Sequence, residues 1–169
     1  NSAGLGSRQS RIGITNLVSN FEKAEQWLSK LLQDDRFIQA RLYDYEYDYW
    51  QNAKDVLQYD SVGKSYEQLP MKSNGLPPPL ERKNIDITAN PGRVEGREGY
   101  LEFVASIMWL GEQFWEIAGS NKEQLLANDS LNITNVGKAV RVMVSDKPFK
   151  SADGQEGVIQ NELRSLLYS

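Results

Sequence analysis

The chain of 169 residues contains no cysteine and no histidine. The absence of cysteine excludes thiol nucleophiles, thiolate zinc sites and disulfide bonds, so the core must hold the fold without covalent cross-links. The absence of histidine excludes the Ser-His-Asp triad and imidazole acid–base catalysis. We therefore expect no metal centre and no cofactor.

Long apolar runs and an excess of positive charge are also missing. No run reaches eighteen apolar residues, which predicts that the chain does not enter a membrane. Nineteen basic residues stand against 23 acidic ones, for a net charge of -4, whereas nucleic-acid binding favours a basic protein. We expect neither a membrane nor a nucleic acid as partner, and a cytoplasmic protein, with the periplasm as the alternative.

Residues 1–11 (NSAGLGSRQSR) are rich in Gly, Ser and Arg and show no periodicity. Such a segment is typical of a flexible tail or a tag remnant. Residues 12–169 have the length of one domain, and 40% of the chain is hydrophobic, enough for a sizeable core. We expect a single α+β domain in this range.

Hydrophobic periodicity predicts helices packed on a small antiparallel sheet. The strongest helical pattern covers 98–118, where Phe103, Ile107, Leu110 and Phe114 are spaced by three or four residues on a broad apolar stripe. We expect this helix at the centre of the core. The pattern also predicts helices over 16–33, 121–128 and from 155 onward, strands over 37–49, 85–88, 131–134 and 139–145, a helix over 50–59 and a loop over 63–83.

An acidic, aromatic segment stands out between 34 and 60. It holds seven acids against three bases, and that difference of four equals the net negative charge of the whole chain. Within it, tyrosines at every second position alternate with acids, which predicts a strand with an aromatic face and an acidic face. The candidate partner-binding residues are Tyr43, Asp44, Tyr45, Glu46, Tyr47, Asp48, Tyr49 and Trp50.

This segment has two interpretations. Tyrosine contributes contact area at low entropic cost and carboxylates steer a basic partner, so the strand is a candidate protein-binding surface. Alternatively, the tyrosines face the core and the acids face water, as in many half-buried strands. The acid spacing also echoes a calcium loop, but Tyr49 stands where that loop requires glycine.

Arg93 and Arg97 follow the turn sequence Asn90-Pro91-Gly92. Two guanidinium groups beside a predicted helix N-terminus are a candidate anion-binding site. The alternative is that they form ion pairs with Glu95 and Glu98.

Two further patterns are candidates for phosphate binding or acid–base catalysis. Gly63-Lys64-Ser65 resembles the end of a phosphate-binding loop but lacks its first glycine, which is Gln58 here. Glu98 and Glu102 would share one face of the predicted helix, where acids near a helix start stabilise it electrostatically. With Asp86, they are also the carboxylates that a hydrolase would use.

Several stretches resemble bacterial immunity-type proteins encoded beside polymorphic toxins. They are LPPPLER (76–82), IDI (85–87), NPGR (90–93), MWLG (108–111) and FW (114–115). The resemblance implies a small, non-enzymatic protein that neutralises a toxin by binding it, often through an acidic face, and it defines no site residues. We expect such a protein-binding module, with a carboxylate-dependent hydrolase or an assembly component of phage or secretion machinery as alternatives.

Overall fold

The structure, a computed structural model, describes residues 2–5, 10–13 and 21–168. The first half contains β1 (Ser2–Leu5), β2 (Ser10–Gly13), α1 (Phe21–Leu28), a 3₁₀ turn (Leu31–Gln33), β3 (Gln39–Leu42), α2 (Tyr45–Asn52), α3 (Val56–Asp60), β4 (Met71–Ser73) and β5 (Lys83–Ile85). The second half contains β6 (Glu95–Gly96), β7 (Leu101–Glu102), β8 (Ile107–Gly111), α4 (Glu112–Ala118), α5 (Lys122–Leu126), β9 (Asn132–Val136), β10 (Ala139–Met143) and α6 (Gly154–Leu167). This mixture confirms the predicted α+β class.

A four-stranded antiparallel sheet in the order β3-β8-β10-β9 forms the centre of the molecule. All five residues of β8 are buried. Met108 and Leu110 face a cluster that includes residues of α4, α5 and α6, while Ile107 and Trp109 face a cluster that includes Ala24 of α1. The sheet is therefore covered on both faces.

The predicted helix over 98–118 is wrong, because the same residues form β7, β8 and α4. A strand covered on both faces has no polar face, so its sequence reads as a continuous apolar run. Here that run leads directly into the helix α4, and the combined pattern imitates one long helix. The expectation that the segment lies at the centre of the core is confirmed, since Ile107 and Phe114 are fully buried.

Other elements follow their sequence signals. Gly119 ends α4 with a left-handed backbone (φ 67°), and Asn121 caps α5 by accepting a hydrogen bond from the Gln124 amide. The two predicted strands after 130 form the β9–β10 hairpin, and α6 begins at Gly154. The predicted first helix over 16–33 ends earlier, since α1 ends at Leu28 and a separate 3₁₀ turn follows, while positions 16–20 of the prediction lie outside the described residues.

The predicted loop over 63–83 contains β4, which pairs with β5 as a hairpin. This hairpin belongs to a third, smaller core cluster built on Ala53, Tyr59, Ile85 and Ile87. The amide of Ile85 donates to the carbonyl of Lys54 at 2.8 Å and ties the hairpin to the segment between α2 and α3.

Glu25 of α1 anchors that helix to the sheet. Its carboxylate accepts a hydrogen bond from the buried Trp109 indole at 2.9 Å and pairs with Arg141 of β10 at 3.1 Å. The Glu25 carboxylate thus provides a hydrogen-bond acceptor for the buried indole N–H of Trp109 and a counter-charge for Arg141.

The strands β1 and β2 pair antiparallel at the beginning of the chain. They fall mainly within residues 1–11, but this pairing does not test the flexibility or the origin of that segment, which stay predictions. None of the helices in the described part of the chain is both long and apolar enough to cross a membrane.

Candidate protein-binding surface

The tyrosine-rich part of the acidic, aromatic segment forms the helix α2, so the predicted strand over 37–49 is wrong beyond Leu42. Asp44 has an extended backbone and its carboxylate accepts a hydrogen bond from the Tyr47 amide at 3.0 Å. This is the arrangement of a helix N-cap, which starts α2 at Tyr45. The alternating tyrosines and acids therefore lie on a helix, where residues two positions apart point to nearly opposite sides.

The helix separates the four tyrosines that a strand would have placed on one face. Tyr45 and Tyr49 are four residues apart and lie on the outer side, with 67% and 36% of their surface exposed. Tyr47 points inward and its hydroxyl donates to Oε1 of the buried Gln160 on α6 at 2.8 Å. Burial raises the pKa of Tyr47 to about 12. The interpretation that the tyrosines face the core therefore holds for Tyr47 but not for Tyr45 and Tyr49, and protein binding by the exposed pair stays a prediction.

Five aromatic rings form a continuous ladder that begins at the outer face of α2. Successive ring centroids are 4.9–6.3 Å apart along Tyr45, Tyr49, Trp50, Tyr59 and Tyr66. Tyr59 is buried, and the Tyr49 hydroxyl accepts a hydrogen bond from Gln58 at 3.1 Å. Tyr45 and Tyr49 are thus connected by ring contacts to the buried Tyr59.

Trp50 lies within this ladder and packs against the third cluster. The ammonium group of Lys64 lies 4.4 Å from the centre of its ring. Lys64 is the lysine of the Gly63-Lys64-Ser65 pattern, and here its ammonium group contacts the face of an aromatic ring. Tyr43 precedes the helix, is 39% exposed, and stacks on the guanidinium of Arg41 at 4.4 Å.

Most acids of the segment are engaged in ion pairs. Three of the five pairs reach bases outside 34–60, so the local excess of negative charge is partly compensated across the fold. The pairs are Asp34–Arg36, Asp35–Lys138, Asp44–Lys150, Asp48–Arg41 and Asp55–Arg82.

Glu46 differs from its two acidic neighbours. It is exposed on α2, and no ion pair is found for it within the described ranges. Asp44 caps the helix, and Asp48 lies 2.7 Å from Arg41. We call Tyr45, Glu46 and Tyr49 the tyrosine surface.

Arg93 and Arg97 pair with carboxylates, with Glu95 as the ion-pair alternative predicted and with Glu102 in place of the predicted Glu98. Arg93 pairs with Glu95 at 2.8 Å, and Arg97 bridges Glu95 at 3.0 Å and Glu102 at 2.6 Å. The hydrogen bond from Arg93 lowers the pKa of Glu95, and the one to Glu102 raises the pKa of Arg97. The two carboxylates that hold Arg97, those of Glu95 and Glu102, therefore lie opposite each other on the paired strands β6 and β7.

Arg164 of α6 is a buried member of this network that periodicity does not reveal. Its guanidinium pairs with Glu102 at 3.0 Å and donates to the carbonyls of Pro91 and Arg93 at 3.2 and 2.6 Å. Burial lowers its pKa. In the sequence, Arg164 resembles an ordinary cation in the last turn of a helix, and no local pattern marks it as buried. The network fastens α6 to the turn at 90–93.

Two pockets in the described part of the chain are small or shallow. A cavity of about 10 Å³ lies beside α2, lined partly by Tyr47 and Phe149, which is about the room that one water needs. An open depression of about 290 Å³ lies beside Trp27 of α1. In the described part of the chain, no group of three or more acidic side chains is placed to hold a metal ion.

Comparisons with protein-family models, curated proteins and solved structures find no match to the chain.

Proposed function

We propose that the chain is a non-enzymatic protein-binding module that uses the tyrosine surface. The observation that carries this proposal is the exposure of Tyr45, which stands 67% exposed while stacked on Tyr49 at 6.3 Å. Exposed tyrosines held in place by packing are frequent hot spots, because they bury a large area and lose little conformational entropy on binding.

The partner is expected to offer an apolar recess beside basic groups. Tyr45 and Tyr49 supply the apolar contact, and the exposed Glu46 supplies a negative charge next to them. A carboxylate at the rim of an interface acts mainly on the association rate. A toxin with a basic surface, neutralised by occlusion, fits this description and agrees with the resemblance to immunity-type proteins.

The carboxylates that a hydrolase would use are engaged within the fold. Glu102 is buried between Arg97 and Arg164, and Asp86 pairs with Lys72 at 2.9 Å. The hydrogen bond from Lys72 lowers the pKa of Asp86 to about 2. These contacts favour binding over hydrolysis as the proposal.

The experiment is co-expression of the chain with each protein encoded beside its gene, followed by binding measurements on the pair that associates. Replacing both tyrosines (Tyr45→Ser with Tyr49→Ser) should weaken binding by at least about 2 kcal/mol, roughly 30-fold. Trp27→Ser is the matched control, since Trp27 is 65% exposed on a different helix. Equal affinities for the wild type and the double variant would contradict the proposal.

Glu46→Gln tests the electrostatic part separately. The variant should slow association and reduce its dependence on salt, with little change in dissociation. Asp44 and Asp48 are unsuitable for this test, because both also hold the helix. An association rate that is the same for Glu46→Gln and the wild type at low salt would remove steering from the proposal.

A further inference from the structure

The two edges of the central sheet differ in how they are protected. Each residue of the edge strand β3 is half-buried, and its Arg41 is held by Asp48. On the other edge, β9 is largely exposed, with only Ile133 and Val136 half-buried. Among the residues that the structure describes, β9 pairs with β10 alone.

The outer edge of β9 carries backbone groups that can pair. The two-residue turn at Gly137-Lys138 makes Val136 and Ala139 a hydrogen-bonded pair, and bonded pairs alternate along an antiparallel ladder. Thr134 therefore bonds to β10. Ile133 and Asn135 direct their N–H and C=O groups away from β10, toward the open edge.

The sequence of β9 contains none of the usual devices against edge pairing. Natural edge strands are protected by lysine, proline, bulges or inward-pointing charges. The strand NITNV has no charged residue and no proline, and it pairs with β10 in unbroken register over all five positions. Its centre, Ile133-Thr134, is β-branched and suited to a sheet.

We propose that β9 binds the β9 strand of a second copy of this chain, in antiparallel register about a two-fold axis at Thr134. This register places Ile133 opposite Asn135 of the second copy, so each outward N–H meets an outward C=O within the length of the strand. The lack of charge avoids repulsion between identical strands. The product is a symmetric dimer in which the two four-stranded sheets join at β9 into one continuous sheet.

The test is sedimentation equilibrium of the full chain from about 1 µM to about 1 mM, the range in which small interfaces dissociate. Asn135→Pro removes an N–H of the outer edge without removing a bond to β10. Asn135→Lys places a charge on the same edge and serves as the second variant if Asn135→Pro does not fold. Asn161→Lys is the control, because Asn161 is exposed on α6 and gains the same charge.

We expect the wild type and Asn161→Lys to form dimers, and both Asn135 variants to dissociate at least about tenfold more readily. A wild type that stays monomeric at the highest concentration overturns the proposal, as do Asn135 variants that dimerise like the wild type. A dimer that is lost only in the double tyrosine variant overturns it too, and assigns self-association to the tyrosine surface.

Discussion

Asp44 shows how one residue determines what a segment of sequence becomes. Its carboxylate takes the Tyr47 amide, and the chain turns from β3 into α2 at that point. Without this cap, the first amides of α2 would lose a partner next to the surface where Tyr45 and Glu46 are displayed.

Replacing Asp44 by alanine should therefore destabilise the protein by about 1 kcal/mol, the usual contribution of an N-cap. Chemical denaturation gives the value. Glu46→Gln, a change in the first turn of the same helix, should stay within about 0.5 kcal/mol of the wild type. Equal stability losses in the two variants would mean that the cap contributes nothing specific.

Asp86 makes stability depend on acid pH. The ammonium of Lys72, with the amide and hydroxyl of Thr88, lowers its pKa from 3.8 to about 2. Because the folded-state pKa is depressed, the unfolded state binds the proton more readily, and the contribution is present above about pH 4 and lost as the pH falls toward 2. The difference in melting temperature between the wild type and Asp86→Asn should shrink across this window.

Lys72→Met is the companion variant for that measurement. It removes the first cause of the shift, so the pH dependence specific to Asp86 should flatten. A difference between wild type and Asp86→Asn that is the same at pH 6 and pH 2 would show that the ion pair does not contribute to folding.

Among the elements, β8 is the strand in which we expect substitutions to reduce stability most, because all five of its residues are buried. Ile107→Ala should cost about 2 to 5 kcal/mol, because Ile107 has no exposed surface and packs in one cluster with Leu32 and Trp109. Val158→Ala on α6, where half of the valine is exposed, should change stability by less than about 0.5 kcal/mol. Unfolding in denaturant compares the two, and a small loss for Ile107→Ala would count against its burial.

The elements that could be predicted from sequence are those with a local signal. Asn121 and Gly119 mark helix ends by their own chemistry, and β9 and β10 alternate because one side of each is more polar than the other. The elements that could not be predicted owe their state to distant contacts. Ile107 to Leu110 are apolar without alternation because helices cover both faces of β8.

The sequence locates the exposed tyrosines but not the helix that carries them, and their role in binding stays a prediction. The residues from 43 to 50 were identified by composition, and the structure places Tyr45, Glu46 and Tyr49 at the surface. Their period of two predicts a strand, whereas in the structure Asp44 caps a helix at this point. The inward role of Tyr47 depends on Gln160, which is 113 positions away in the chain. No local pattern contains that pairing.

The whole molecule consists of a large two-sided core and a smaller satellite. The satellite cluster on Ala53, Tyr59, Ile85 and Ile87 has four buried residues, against thirteen in the larger cluster of the sheet. Because fewer apolar contacts hold it, the β4–β5 hairpin should open without unfolding the sheet.

Native-state hydrogen exchange tests this expectation. The amide of Ile85, bonded to Lys54, should exchange at least about tenfold faster than the amides of β10, a difference of about 1.4 kcal/mol in opening free energy. Amides of β10 are the internal reference, because that strand is paired on both sides. Equal protection at both places would mean that the molecule opens as a single unit.

The least exposed ion pairs of the fold all use arginine: Arg164 with Glu102, Arg141 with Glu25, and Arg41 with Asp48. Nine of the ten lysines are exposed, and Lys122 is half-buried. Acylation of primary amines would therefore modify the outside of the molecule and leave its internal cations intact. A lysine-directed cross-linker can accordingly capture neighbours of the native protein, and Lys64, which lies against the Trp50 ring that contacts Tyr49, is placed to record partners of the tyrosine surface.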